Sequence, residues 1–167
     1  LPLTSDTKVC LEELTDLLGD YSTTGEYRKA ASDANLSWDE LVEGFFKVSG
    51  ALPVTQAEVV GAVCGFAGPR DVVLCAAGSL PGDLHKLWRT RDPKGFHLEY
   101  GYSTMGYECA AGIGAKMACP DREIFVMVGD GNYLMMNNEI VTAIQEGIKY
   151  TIILLDNSGF GSIGGLS

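Results

Sequence analysis

The sequence predicts an α/β fold, a parallel sheet with helices on both faces, preceded by a helical segment. Short apolar runs at Val72–Ala77, Ile124–Val128 and Thr151–Leu155 are continuous rather than alternating, so both faces of each strand are expected to be buried. The chain between successive runs is long enough for a helical crossover, which parallel neighbours require. A third observation is a change of texture near Gly50 and Pro53, before which no apolar strand run occurs.

Within residues 1–50, Leu11, Leu14, Leu17 and Leu18 recur at helical spacing and Gly19 follows as a stop. A second helical stretch at roughly 25–48 carries Tyr27, Leu41, Phe45 and Phe46. This part reads as the helical end of a middle domain with a connecting helix, and residues 51–167 as a second domain. There, Thr55-Gln56-Ala57-Glu58 is a capping box opening a helix to about Phe66. A strand over 71–77 ends at Gly78. The small residues Ala110, Ala111, Gly112, Gly114 and Ala115 mark a helix, about 106–118, that packs very closely on a neighbour. The strand 124–128, a helix around 138–146 and the strand 151–155 complete the pattern.

Of the 167 residues, 46% are hydrophobic and 20% charged, which is globular composition. The formal net charge of −10 comes without any basic run, arguing against nucleic acid or an anionic membrane as partner. No stretch is apolar for long enough to span a bilayer, and Leu1-Pro2-Leu3-Thr4 is unlike a secretory signal. Cys10, Cys64, Cys75, Cys109 and Cys119 form no Cys-x-x-Cys pair, so reduced thiols and a cytoplasmic location are expected. The start lacks an initiator Met and the end follows a strand pattern directly. The expectation is a piece of a longer protein, truncated at the C-terminus.

Ligands of open α/β sheets sit at the carboxyl ends of the strands. Two ends carry unusual polar residues: Gly129-Asp130-Gly131-Asn132 after one strand, and Asp156-Asn157-Ser158-Gly159 after the next. One helix and one strand separate them, so a right-handed crossover brings both to the same edge. A carboxylate and an amide oxygen are hard ligands suited to magnesium, and glycines let backbone approach an anion. A helix beginning near Asn132 adds its dipole. Between Val126 and Ile148 there is no Lys, Arg or His, so a phosphate bound here needs a metal as counter-charge. Taken alone, Gly-Asp-Gly is equally an ordinary turn; the paired Asn157 weighs against that reading.

Gly-Asp-Gly followed some 25 residues later by Asn resembles the signature of thiamine-diphosphate-dependent enzymes. The resemblance implies Mg2+ held by the side chains of Asp130 and Asn157 and by the carbonyl of Gly159. Asp156 stands where that family usually has a first Asn. Tyr102-Ser103-Thr104-Met105-Gly106 resembles the stretch under the cofactor's aminopyrimidine, implying hydrogen bonds from backbone at Ser103 and Met105 and a wedge role for Met105, which is otherwise a core methionine. Gly78, Ser79 and Leu80 correspond to a diphosphate contact, or simply to a strand end. Gly129, Gly131, Asn132 and Phe160 complete the implied thiamine diphosphate site.

Three further stretches, Ala77–Trp88, Leu98–Tyr102 and Asp156–Gly165, resemble the branch of the family that hydrolyses the C–C bond of a cyclic polyhydroxylated 1,2-diketone in myo-inositol breakdown. A carboligase of the acetolactate-synthase kind and a non-catalytic cofactor-binding module remain open. His85 and the stretch Phe160–Gly165 are candidates for substrate contact. His85 and His97 are equally surface or core histidines, and Glu99, Glu108 and Glu139 are unassigned. The resemblance also implies that the glutamate activating the cofactor lies outside this chain, on a pyrimidine-binding domain of a second subunit. A homodimer or homotetramer is therefore expected, and no turnover by this chain alone.

Overall fold

The computed structural model describes residues 4–164. The chain divides into two compact units, Leu1–Leu41 and Val42–Ser167. In the first, α1 (Thr7–Leu18) begins where the Asp6 carboxylate accepts the Lys8 and Val9 N–H groups at 3.0 and 3.1 Å. It stops at Gly19, whose φ of 49° is open to glycine at little cost. α2 (Gly25–Phe46) opens with the Thr24 hydroxyl accepting the Tyr27 N–H. The leucine stripe of α1 is exposed. Val42, near the end of α2, is fully buried in the core of the second unit, so the packing break falls before the Gly50–Pro53 punctuation.

The second unit continues with α3 (Gln56–Phe66), β1 (Val72–Cys75), α4 (Ser79–Leu87), β2 (Phe96–Leu98), α5 (Tyr107–Ala118) and β3 (Ile124–Gly129). α6 (Asp130–Met136), α7 (Glu139–Gln145), β4 (Thr151–Leu155) and α8 (Gly161–Gly164) follow. The strands form one parallel sheet in the order β2-β1-β3-β4. Residues of β1 alternate between two cores: Val73 and Cys75 join Val60, Leu80, Leu84 and Met127, whereas Val72 and Leu74 join Ile124, Val126 and Val128. Both faces are thus covered, as the continuous apolar runs imply. β4 departs from that expectation. It pairs on one side only and Leu154 is exposed, because it is an edge strand among the described residues.

Three elements, α4, β2 and α8, were not legible. α4 contains Pro81-Gly82, which reads as a loop, yet Pro81 sits in the first turn, where a missing N–H costs nothing. β2 has three residues with His97 at its centre and is only partly buried. The capping box at Thr55 is present, and its Glu58 carboxylate does more than close the helix. It accepts the Ser49 N–H at 2.6 Å and the Thr55 N–H and hydroxyl at 2.7 and 2.8 Å. Those bonds, Ser49's backbone foremost, hold its pKa at about 2 against an ordinary 4.5. A depressed folded pKa gives stability that is complete above pH 4.5 and lost as pH falls towards 2. Glu58→Gln is therefore expected to lower the melting temperature at neutral pH and to flatten its fall over that acid window, read by thermal unfolding across pH.

Close packing of α5 on the sheet is also present. A Cβ on Gly112 would lie 2.7 Å from both the Tyr150 ring and the Val126 methyl. Gly112→Ala is expected to cost about 1–3 kcal/mol through overpacking, measured as a lower urea midpoint. All five cysteines are free thiols, and Cys64, Cys75 and Cys109 are buried.

Candidate functional site

The chain runs from β1 out to β2, then returns past β1 to β3 and β4, so its direction across the sheet reverses beside β1. A cleft opens at the carboxyl ends of the strands beside this reversal, where α/β sheets place ligands. Every strand contributes. Gly78, Ser79 and Leu80 follow β1, Ser103 and Met105 follow β2, and Gly129, Gly131 and Asn132 lie at the β3–α6 junction. Asn157, Gly159 and Phe160 follow β4, with Gly161, Ser162 and Ile163 beyond them. The residues singled out in the sequence therefore come together at one place, with Asp130 in contact through Asn157. Gln56, at the start of α3, also lines the cleft and was not singled out; its amide donates to Asp83 at 2.5 Å. Among the described residues no Lys, Arg or His lines the cleft.

Local chemistry explains the turns. After β4 the Asp156 carboxylate accepts the Ser158 N–H at 2.8 Å, which bends the chain through Ser158 at φ 60°. Asp156 is thereby engaged in shaping the turn. The bend carries Asn157 and Gly159 towards Asp130. One terminal atom of the Asn157 amide lies 2.7 Å from the Gly159 carbonyl oxygen and 3.1 Å from Asp130 Oδ1. Turned one way, the amide donates N–H to both. Turned the other, three oxygens converge with no proton between them. Neighbouring ligands on a small octahedral cation at 2.0–2.1 Å stand about 2.9 Å apart, and the two separations from the Asn157 amide, 2.7 and 3.1 Å, are of that size. Its donors, one carboxylate, one amide and one carbonyl, are all hard oxygens. Among the described residues no three His, Cys, Asp or Glu side chains cluster.

The Ser103–Met105 stretch is held by Glu99, whose carboxylate accepts the Thr104 and Tyr102 N–H groups at 2.7 and 3.0 Å. These two backbone bonds, Thr104's first, keep the Glu99 carboxyl below its usual range. Ser103 between them takes φ 52°, a conformation uncommon for a non-glycine residue. Next, Gly106 at φ 85° admits the chain beside Met135 and Met136, where a Cβ would come within 2.8 Å of Met136.

The remaining candidates divide. Glu108 is fully buried, and Glu139 begins α7. His85 is exposed with its ring 5.7 Å from those of Phe96 and Tyr100, and it does not line the cleft. His97 Nε2 meets the Tyr107 hydroxyl at 2.8 Å. Of Phe160–Gly165, the first four residues line the cleft, Gly164 does not, and Gly165 lies outside the described residues. Among the described residues no helix is long and apolar enough to cross a membrane.

Comparison with known proteins places this chain in a family. The model for the thiamine pyrophosphate enzyme C-terminal TPP-binding domain matches residues 76–167. The 3D-(3,5/4)-trihydroxycyclohexane-1,2-dione hydrolase of Geobacillus thermodenitrificans (strain NG80-2) is 40% identical across 97% of this chain and 29% of its own length. The protein of the same name from Bacillus anthracis is 39% identical, across 99% of this chain and 30% of its own length. The chain thus spans under a third of these relatives. Among solved structures, the Rhodococcus jostii RHA1 thiamine diphosphate-dependent 4-hydroxybenzoylformate decarboxylase shares the fold, with a TM-score of 0.66 at 22% identity over 72% of this chain and 23% of that one. With residues 76–167 matched by the family model and relatives about 40% identical across almost the whole chain, the chain belongs to the thiamine pyrophosphate enzymes, through their C-terminal TPP-binding domain.

Proposed function

We propose that this chain is the diphosphate- and Mg2+-binding part of a hydrolase that opens a cyclic polyhydroxylated 1,2-diketone, trihydroxycyclohexanedione, to 5-deoxyglucuronate in myo-inositol degradation. The observation that carries the cofactor site is the convergence of Asp130, Asn157 and Gly159 oxygens at the mouth of a cleft without cations. A diphosphate there needs a metal between itself and the carboxylate, and these three donors leave room for phosphate oxygens and water on the same ion. α4 begins at Ser79 on the cleft wall, so its dipole favours the anion. Once bound, thiamine diphosphate supplies the electron sink for breaking a carbon–carbon bond beside a carbonyl.

The protein's own share would be position: Asp130 and Asn157 would hold the metal, Gly129 and Gly131 would let backbone come close to the diphosphate, and Met105 would support the cofactor's bent conformation. Ser162 beside Gly161 offers a hydroxyl and space for a polyol ring. The choice of hydrolysis over carboligation is supported by the shared name of relatives that match almost the whole chain. The activating glutamate belongs, on this reading, to the pyrimidine-binding domain of a second subunit in a cytoplasmic homodimer or homotetramer. Exposed Tyr102, Phe160 and Ile163 would lie on the side that such a subunit covers.

The test is an assay of the full-length gene product carrying this sequence, with thiamine diphosphate and Mg2+. The cyclic diketone is offered in one arm and pyruvate in the other. Ring opening with no condensation of pyruvate is expected. Efficient acetolactate formation with an inert diketone hands the site to a carboligase, and activity of the 167-residue chain alone would overturn the need for a second domain.

A further inference from the structure

Glu108, in the first turn of α5, is fully buried and does not line the cleft, yet it touches the segments that do. Its Oε1 accepts from Asn132 Nδ2 at 2.7 Å and from the Ala77 N–H at 3.3 Å. Asn132 Nδ2 also donates to the Ala77 carbonyl at 3.0 Å, closing a buried triangle. Ala77 directly precedes Gly78–Leu80, Asn132 directly follows Gly129–Gly131, and Glu108 itself begins the helix that Met105 and Gly106 lead into. Three cleft-forming segments thus meet at one carboxylate oxygen. The other oxygen, Oε2, is buried without any hydrogen-bond partner among the described residues. Burying a carboxylate with half its capacity unused is costly, and an apolar residue in the first turn of α5 would avoid that cost. Packing alone does not account for the residue.

We propose that Glu108 is a positioning residue for the cofactor cleft. It holds the end of β1, the start of α5 and the first turn of α6 in one register, so the diphosphate-facing and pyrimidine-facing backbone is arranged before ligand arrives. The ligand named here rests on the reading under Proposed function; the positioning does not.

Amide hydrogen exchange without ligand tests the geometry, and calorimetry with thiamine diphosphate and Mg2+ tests its consequence. In Glu108→Ala, exchange should accelerate together in the segments 77–80, 103–108 and 129–133 and stay unchanged in 124–128, while cofactor affinity falls about 10–100-fold, the usual effect of losing a supporting hydrogen-bond partner. Glu108→Gln keeps an oxygen at the shared position and should restore most of both. Parental exchange in all three segments of Glu108→Ala, or a glutamine variant no better than the alanine one, overturns the proposal. Should Glu108→Ala fail to fold, Asn132→Ala decides. It should loosen 77–80 and 129–133 and spare 103–108, and unchanged exchange at 77–80 sinks the idea. A parent protein that binds no thiamine diphosphate defeats the functional reading, while the exchange result still decides the role of Glu108.

Discussion

Asp130→Ala is expected to weaken Mg2+-dependent binding of thiamine diphosphate by at least an order of magnitude while leaving the protein folded. Asp130 supplies the only negative charge among the three converging oxygens, and among the described residues no Lys, Arg or His lines the cleft to take over. Removing one member of a close charged pair costs about 2–5 kcal/mol, which is about 30-fold to several-thousand-fold in Kd. Stability should change little, because Asp130 is only partly buried at the start of α6 and packs in neither core. Asn157→Ala removes a neutral donor and should weaken binding less. Calorimetry with and without Mg2+ reads both, and the ligand-free melting temperature checks folding. Parental affinity in Asp130→Ala would dismantle the site.

Much of this site was legible because its chemistry lies at strand ends, and strand ends follow from apolar runs. Ile124–Val128 and Thr151–Leu155 alone place Asp130 and Asn157 at one edge of a parallel sheet. What the runs could not give is the side chain that joins distant segments. Glu108 sits beside Tyr107 and Cys109 in a helix of small residues, and nothing local distinguishes it from a solvated first-turn glutamate. Its meaning depends on Ala77 and Asn132, which are neighbours only after the sheet is assembled. Gln56 is similar. The capping box announces its helix, but not that the helix begins at the cleft. α4 was hidden for another reason: Pro81-Gly82 is turn chemistry by composition, and the first turn of a helix tolerates it.

Gly131→Ala should separate ligand binding from stability. Gly131 lies in the first turn of α6, a backbone that alanine accepts, so any effect is steric. An added Cβ would stand 2.5 Å from Phe160 Cε1 and 2.8 Å from Cδ1. Phe160 is 51% exposed on the turn after β4, so its ring can swing away and the fold should lose little. Both residues line the cleft, however, and the displaced ring and the new methyl compete with the diphosphate for the same space. If ligand binding forces the ring back, the variant bears an overpacking cost of about 1–3 kcal/mol in the bound state, or about 5- to 150-fold in Kd. The urea midpoint without ligand should stay near the parental value. The double variant Gly131→Ala with Phe160→Ala removes the clash and should recover most of the lost affinity. If it does not, the methyl itself blocks the diphosphate, and close backbone approach at Gly131 is what the ligand requires.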